Sequence, residues 1–177
     1  CIGLVCHSLC DSGRPQNHSV HGFNKTVSRS YKKMKNQKDI LKLRAHHGMC
    51  LAFFEGKGYS DTFTLHMGSI LEKMRGNPVL QIVTNGDMIC KKCPNSKENT
   101  CITQEKVKIY DQKVLAACEL SKGVTLSWEE FSFLVEERIL KKGKRREICS
   151  NCQWHEICQR KELERYGNSQ KRNAAGD

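Results

Sequence analysis

Two cysteine triplets constrain this chain more than any other feature of it. Cys90-x2-Cys93-x7-Cys101 lies mid-chain, and Cys149-x2-Cys152-x5-Cys158 lies near the C-terminus. A Cys-x2-Cys turn brings two sulfurs to one point, and a third cysteine a short loop later can close on the same ion or cluster. A solvated polar loop is a poor place for inert cysteine, so two triplets in such loops predict a metalloprotein.

Each triplet lacks a fourth ligand, and Cys50, His46 and His47 are the candidates. On a helix, His46 and Cys50 are i,i+4 and His47 and Cys50 are i,i+3, so Cys50 and either histidine can share a face. The six triplet cysteines, Cys50 and one histidine would serve two four-ligand sites. The metal is open on spacing alone. Cys149-x2-Cys152-x2-His155-x2-Cys158 is close to a zinc knuckle, whereas Cys93-Pro94 is like the Cys-Pro that ends ferredoxin-type runs. A rival use of the same residues is a Cys50 nucleophile activated by His46 or His47, but no oxyanion-hole glycine motif or third orienting residue accompanies it. Cys118 falls on an apolar helix face and reads as core. Cys1, Cys6 and Cys10 lie in a polar N-terminal stretch and are expected to bind nothing.

The formal charge of +11 is not a nucleic-acid signal once it is divided along the chain. Residues 1–44 hold nine Lys/Arg against two Asp/Glu, residues 45–140 eleven against twelve, and residues 141–177 ten against five. The central body is nearly neutral and would become more negative with bound thiolates. The runs Lys32–Lys38 and Lys141–Arg146 read as solvated, and a nucleic-acid partner is not expected. No run of about 18 apolar residues is present, so no transmembrane helix is expected. Cys-x2-Cys pairs in a Lys/Glu-rich, helix-forming body fit a reducing compartment, which places the protein in the cytoplasm.

Residues 1–33 are rich in Ser, Asn, His, Gly and basic residues without a sustained period, and read as disordered. The composition changes at Met34, so 1–33 is expected to be an extension upstream of the usual start. The run Ile40, Leu41, Leu43 is a strand or the lead-in to a helix. His46 to Phe54 is helical in pattern, stopped by Gly56 and Gly58. Ser60 can cap a helix over about 61–75 that Asn77-Pro78 breaks. Val79 to Thr84 predicts a short strand closed by Asn85-Gly86, and the first cysteine loop follows. Glu105 to Leu120 predicts a helix with Val107, Tyr110, Val114, Leu115 and Cys118 on one face. Ser127-x-x-Glu130 is a capping box with Leu126 and Phe131 as its hydrophobic staple, opening a helix to about Leu140. From about Glu162 the chain is polar and expected to fray. Trp128 and Trp154 read as packing residues, Trp154 as a shield of the second cysteine loop from water.

Taken together, LRAHHGMCLAFFEGKGYS (Leu43–Ser60), DMICKKCP (Asp87–Pro94) with Cys101, VKIYDQKVL (Val107–Leu115), LSWEEF (Leu126–Phe131) and ICSNCQWHEIC (Ile148–Cys158) resemble an uncharacterised bacterial and archaeal family, domain of unknown function 1284. The resemblance covers about residues 41–160. It implies iron–sulfur binding and carries over His46, His47, Cys50, Cys90, Cys93, Cys101, Cys149, Cys152 and Cys158 as metal ligands. The family often has Arg-Pro-His-His where this chain has Arg44-Ala45-His46-His47, and two acidic residues where it has Asp87-Met88. His155 is outside the shared pattern.

The expected fold is mainly α with a small β element (α+β): a single metal-stapled domain over 34–162, between a disordered extension (1–33) and a polar C-terminal tail (163–177). The expected function is a cytoplasmic iron–sulfur cluster-binding protein in electron transfer or a redox accessory role, with a redox partner protein. One alternative is a zinc-stabilised binding module touching nucleic acid or an acidic protein. Another is a metal- or cluster-dependent enzyme with an open or histidine-ligated position. The sequence leaves catalysis, substrate and oligomeric state open.

Overall fold

The computed structural model describes residues 40–98 and 100–174, with 168–174 described by backbone only. The expectations for residues 1–33, including Cys1, Cys6 and Cys10, lie outside the described residues. The described chain is α+β, as expected.

Strand β1 (Leu41–Arg44) resolves the apolar run at Ile40 as β structure. It pairs in parallel with β2 (Val79–Val83), setting Leu43 opposite Ile82. Parallel neighbours need a long crossover. Here it is two helices, α1 (His47–Phe53) and α2 (Asp61–Arg75). The other edge of β2 takes β5 (Thr125–Ser127) antiparallel, with Leu80 opposite Leu126. Two residues each form β3 (Ser96–Lys97) and β4 (Thr100–Cys101), a hairpin inside the first cysteine loop, preceded by a 3-10 turn at Cys90–Lys92.

The helix starts follow the predicted chemistry. Ser60 Oγ accepts the Phe63 N–H at 3.2 Å at the head of α2. The capping box forms at the head of α4 (Trp128–Val135): Ser127 Oγ accepts the Glu130 N–H at 3.2 Å, and Glu130 Oε2 accepts the Ser127 N–H at 2.8 Å. One wide turn, Glu136–Leu140, extends α4 to the predicted end. Helix α3 (Gln104–Cys118) buries Tyr110, Val114, Leu115 and Cys118 on the predicted face, and Asp111 with them.

The core gathers Leu43, Leu80 and Ile82 from the sheet, Met49 and Phe53 from α1, and Phe63, Met67, Ile70 and Met74 from α2. Val114, Phe131, Val135 and Ile139 close its other side. Each such side chain contributes about 1.5–3 kcal/mol when fully buried. Gly48 lets α1 approach α4 closely, since a Cβ there would lie 2.7 Å from the Phe131 ring.

The C-terminal region is more ordered than its polarity suggests. Helix α5 (Arg145–Cys149) and helix α6 (His155–Ala174) flank the second Cys-x2-Cys turn, and α6 runs past Glu162, where fraying is expected from sequence. Glu162 and Tyr166 are buried in it. The reason is tertiary. Arg145 of α5 pairs with Glu162 at 2.9 Å, Arg160 pairs with Glu55 beyond α1, and Arg165 lies over the Phe53 ring.

Candidate metal centre

Two buried aspartates organise the site. Asp111, projecting from α3 among apolar neighbours, accepts four hydrogen bonds. Its Oδ2 takes Arg44 Nε at 2.9 Å and Nη2 at 2.6 Å, and its Oδ1 takes the His46 backbone N–H at 3.0 Å and His46 Nδ1 at 2.6 Å. Asp87 does the same from the loop after β2. Its Oδ2 takes the Arg44 N–H and His47 Nδ1, both at 2.7 Å, and its Oδ1 takes the N–H groups of Ile89 at 2.9 Å and Cys90 at 3.0 Å. A carboxylate has about four acceptor positions, so both groups are fully satisfied.

Burial works against the charge on each carboxylate, but the histidine contacts and hydrogen bonds outweigh it and hold both below the usual carboxylate range. Ionised carboxylates only accept, so Nδ1 of each histidine carries the donated proton. Burial first, and the neighbouring His47 second, lower His46 to about 4 against the pull of Asp111. Neutral at pH 7, His46 keeps the lone pair on Nε2. A carboxylate fixing the tautomer of an imidazole is the usual support of a metal-bound histidine.

The cysteines divide around these histidines. Cys50, Cys149, Cys152 and Cys158 border one cavity of about 200 Å³, together with His46, His47, Tyr59, Trp154 and Arg145. Cys90, Cys93 and Cys101 border another of about 90 Å³, again with His46, His47 and Tyr59. The histidines and Tyr59 therefore stand at both. The structure brings the nine sequence-predicted residues to these two cavities. Trp154 meets Tyr59 edge to face at 5.2 Å beside the larger one.

Burial raises thiols at both cavities. Burial raises Cys50 well above its usual value, and Cys152, Cys158 and Cys149 add to the rise. Burial raises Cys149 and Cys158 to about 11, with Arg145 opposing. Burial and then Asp87 raise Cys90 to about 12. A thiol held protonated is a poor nucleophile, which argues against the Cys50–histidine nucleophile. A metal would displace these protons on binding. Cys118 is 1% exposed on the apolar face of α3, as its position predicts.

Among the described residues, one group of three or more potential ligands has all its ligand atoms within 4.8 Å of one another: His47, Asp87 and Cys90. This group could hold a metal ion. With all four acceptor positions of Asp87 occupied, His47 and Cys90 are its available ligands and Asp87 the residue that orients them.

Arg145 is a feature of the larger cavity that sequence reasoning missed. It is 1% exposed, and its Nε meets Glu162 Oε2 at 3.0 Å while Nη1 has no hydrogen-bond partner. His155 Nδ1 at the same cavity is likewise buried without a partner. Arg44, Asp87 and Asp111 were missed too. Asp111 had a signal: it falls at i+4 from Val107 and i−3 from Val114, on the helix face expected to be apolar.

In a comparison with protein-family models, residues 58–158 match the family described as "Protein of unknown function (DUF1284)". The chain belongs to this family. The DUF1284 match spans both cysteine triplets, while His46, His47 and Cys50 lie just before it. No curated protein and no solved structure matches the chain. Among the described residues of this DUF1284 protein, no helix is long and apolar enough to cross a membrane.

Proposed function

We propose that the protein binds an iron–sulfur cluster through Cys50, Cys149, Cys152 and Cys158 and serves in electron transfer or as a redox accessory in the cytoplasm, with a protein redox partner. The observation that carries this reading is the convergence of four thiols on one cavity of about 200 Å³. Four thiolates are the ligand set that an iron–sulfur cluster takes.

Bound there, a cluster would supply one-electron exchange at a potential set by burial and hydrogen bonds. The protein's own residues support that use. Arg145 offers a cationic N–H with no other partner beside a centre that four thiolates would make anionic. Cys149 Sγ lies 3.5 Å from the Arg145 carbonyl, so α5 positions both groups. Tyr110, hydrogen-bonded to Asn151 between two of the ligand cysteines, ties that turn to α3.

Protein purified without oxygen is expected to be brown and to contain iron and acid-labile sulfide, and Cys152→Ser is expected to lose both. Colourless iron-free protein, or thiols joined as cystines, would overturn the proposal.

A further inference from the structure

We propose that the first cysteine triplet, completed by His47, forms a second metal centre of different chemistry: a closed Cys3His site for one zinc ion. It rests on observations separate from those for the cluster, and neither site needs the other.

The local fold assembles three of the donors. Asp87 caps the turn at Cys90–Lys92 through the N–H groups of Ile89 and Cys90. The Cys93 N–H closes on the Cys90 carbonyl at 3.1 Å. The β3–β4 hairpin then pairs Ser96 with Cys101, returning the third sulfur to the cavity of the first two. Cys50, Cys149, Cys152 and Cys158 do not border that cavity of about 90 Å³.

The fourth donor comes from α1. His47 Nδ1–H donates to Asp87 Oδ2 at 2.7 Å, which leaves the Nε2 lone pair free to bind a metal. His47 and Cys90 belong to the one close-set ligand group among the described residues, and three cysteines with one histidine are a ligand set of structural zinc. Thr103 Oγ1, 3.3 Å from Cys101 Sγ, is placed to donate to a bound thiolate.

Hydrogen bonds shape the segment, but apolar burial gives it little support. From Cys90 to Thr103 no described residue is buried, so hydrophobic packing does little to fix this loop. A structural zinc ion replaces a core in such a segment. Three thiolates and a neutral imidazole around Zn2+ leave one negative charge, and the exposed Lys91 and Lys92 flank it.

The test measures zinc, iron and sulfide per chain in the full-length protein made without oxygen and with both metals supplied. Wild-type protein is expected to hold one zinc ion. Cys93→Ser and His47→Gln are expected to lose that zinc and keep iron and sulfide, and Cys152→Ser is expected to do the reverse. Asp87→Asn should weaken zinc binding about 10–100-fold. Zinc without iron in wild-type protein, with the zinc lost in Cys93→Ser and kept in Cys152→Ser, would support this site and overturn the cluster. Wild-type protein without zinc, or loss of iron in Cys93→Ser, would overturn this site. Should the variants fail to fold, alkylation mapping on wild-type protein decides: zinc must protect Cys90, Cys93 and Cys101, and alkylation of these three in the zinc-loaded protein would sink the assignment. Cobalt in place of zinc should bind once per chain, with thiolate-to-metal absorption of a tetrahedral site; an octahedral spectrum would count against it.

Discussion

Asp111 lies 2.6 Å from Nδ1 of His46 and, through its other oxygen, 2.6 Å from Nη2 of Arg44. One buried carboxylate thus neutralises the buried guanidinium of β1 and fixes the tautomer of His46, in the link from that strand to α1. The same strand supplies the Arg44 N–H to Asp87, which fixes His47. Two adjacent histidines are in this way held by two aspartates distant in sequence.

Asp111→Asn should therefore be severely destabilising despite its matched size. It leaves Arg44 buried with no counter-charge and takes an acceptor from His46. Removing one member of a buried pair costs about 3–5 kcal/mol. Urea denaturation of metal-free protein checks this, and a loss below about 1 kcal/mol would show the pair to be dispensable.

Gly48→Ala should cost stability although alanine favours helices. The new Cβ would meet the Phe131 ring at 2.7 Å, and the fully buried ring has little room to retreat. Overpacking of this kind costs about 1–3 kcal/mol, against about 1 kcal/mol of helix propensity gained. Any outward shift of α1 also displaces His47 and Cys50, so metal content should fall with stability. A stabilised variant with full metal content would refute the contact argument.

Glu55 should remain ionised well into acid. The Arg160 guanidinium, bridging both carboxylate oxygens at 2.7 Å, outweighs the effect of burial, and with Lys57 and Lys161 it holds the carboxyl at about 2. Because the folded value is lowered from 4.5, the stabilisation is fully present above pH 4.5 and is lost as pH falls through about 2. NMR titration of the Glu55 carboxyl should show the low midpoint, and Arg160→Gln should raise it toward 4.5. An ordinary midpoint in wild-type protein would mean that α6 is not anchored to the segment after α1 in solution.

Much of the fold was legible because it rests on local chemistry. Ser60 and Ser127 announce their helices through hydrogen bonds to residues three positions away, and Val79–Val83 announces its strand through β-branched alternation. Strand β5 was not legible: three residues carry no period, and only the neighbouring edge of β2 makes them a strand. Helix α6 was undervalued because its partners, Glu55, Phe53 and Arg145, are remote in sequence.

The site shows the same boundary. Cysteine and histidine identities, and the turns that pair neighbouring sulfurs, are written in the chain, since thiolate and imidazole chemistry and a Cys-x2-Cys turn depend on few residues. Which sulfurs share a cavity is not. Tertiary packing alone places Cys50 with the second triplet and sets Asp87 and Asp111 on Nδ1 of the two histidines, because contacts spanning 40 to 65 residues arise only when the sheet and α3 pack together.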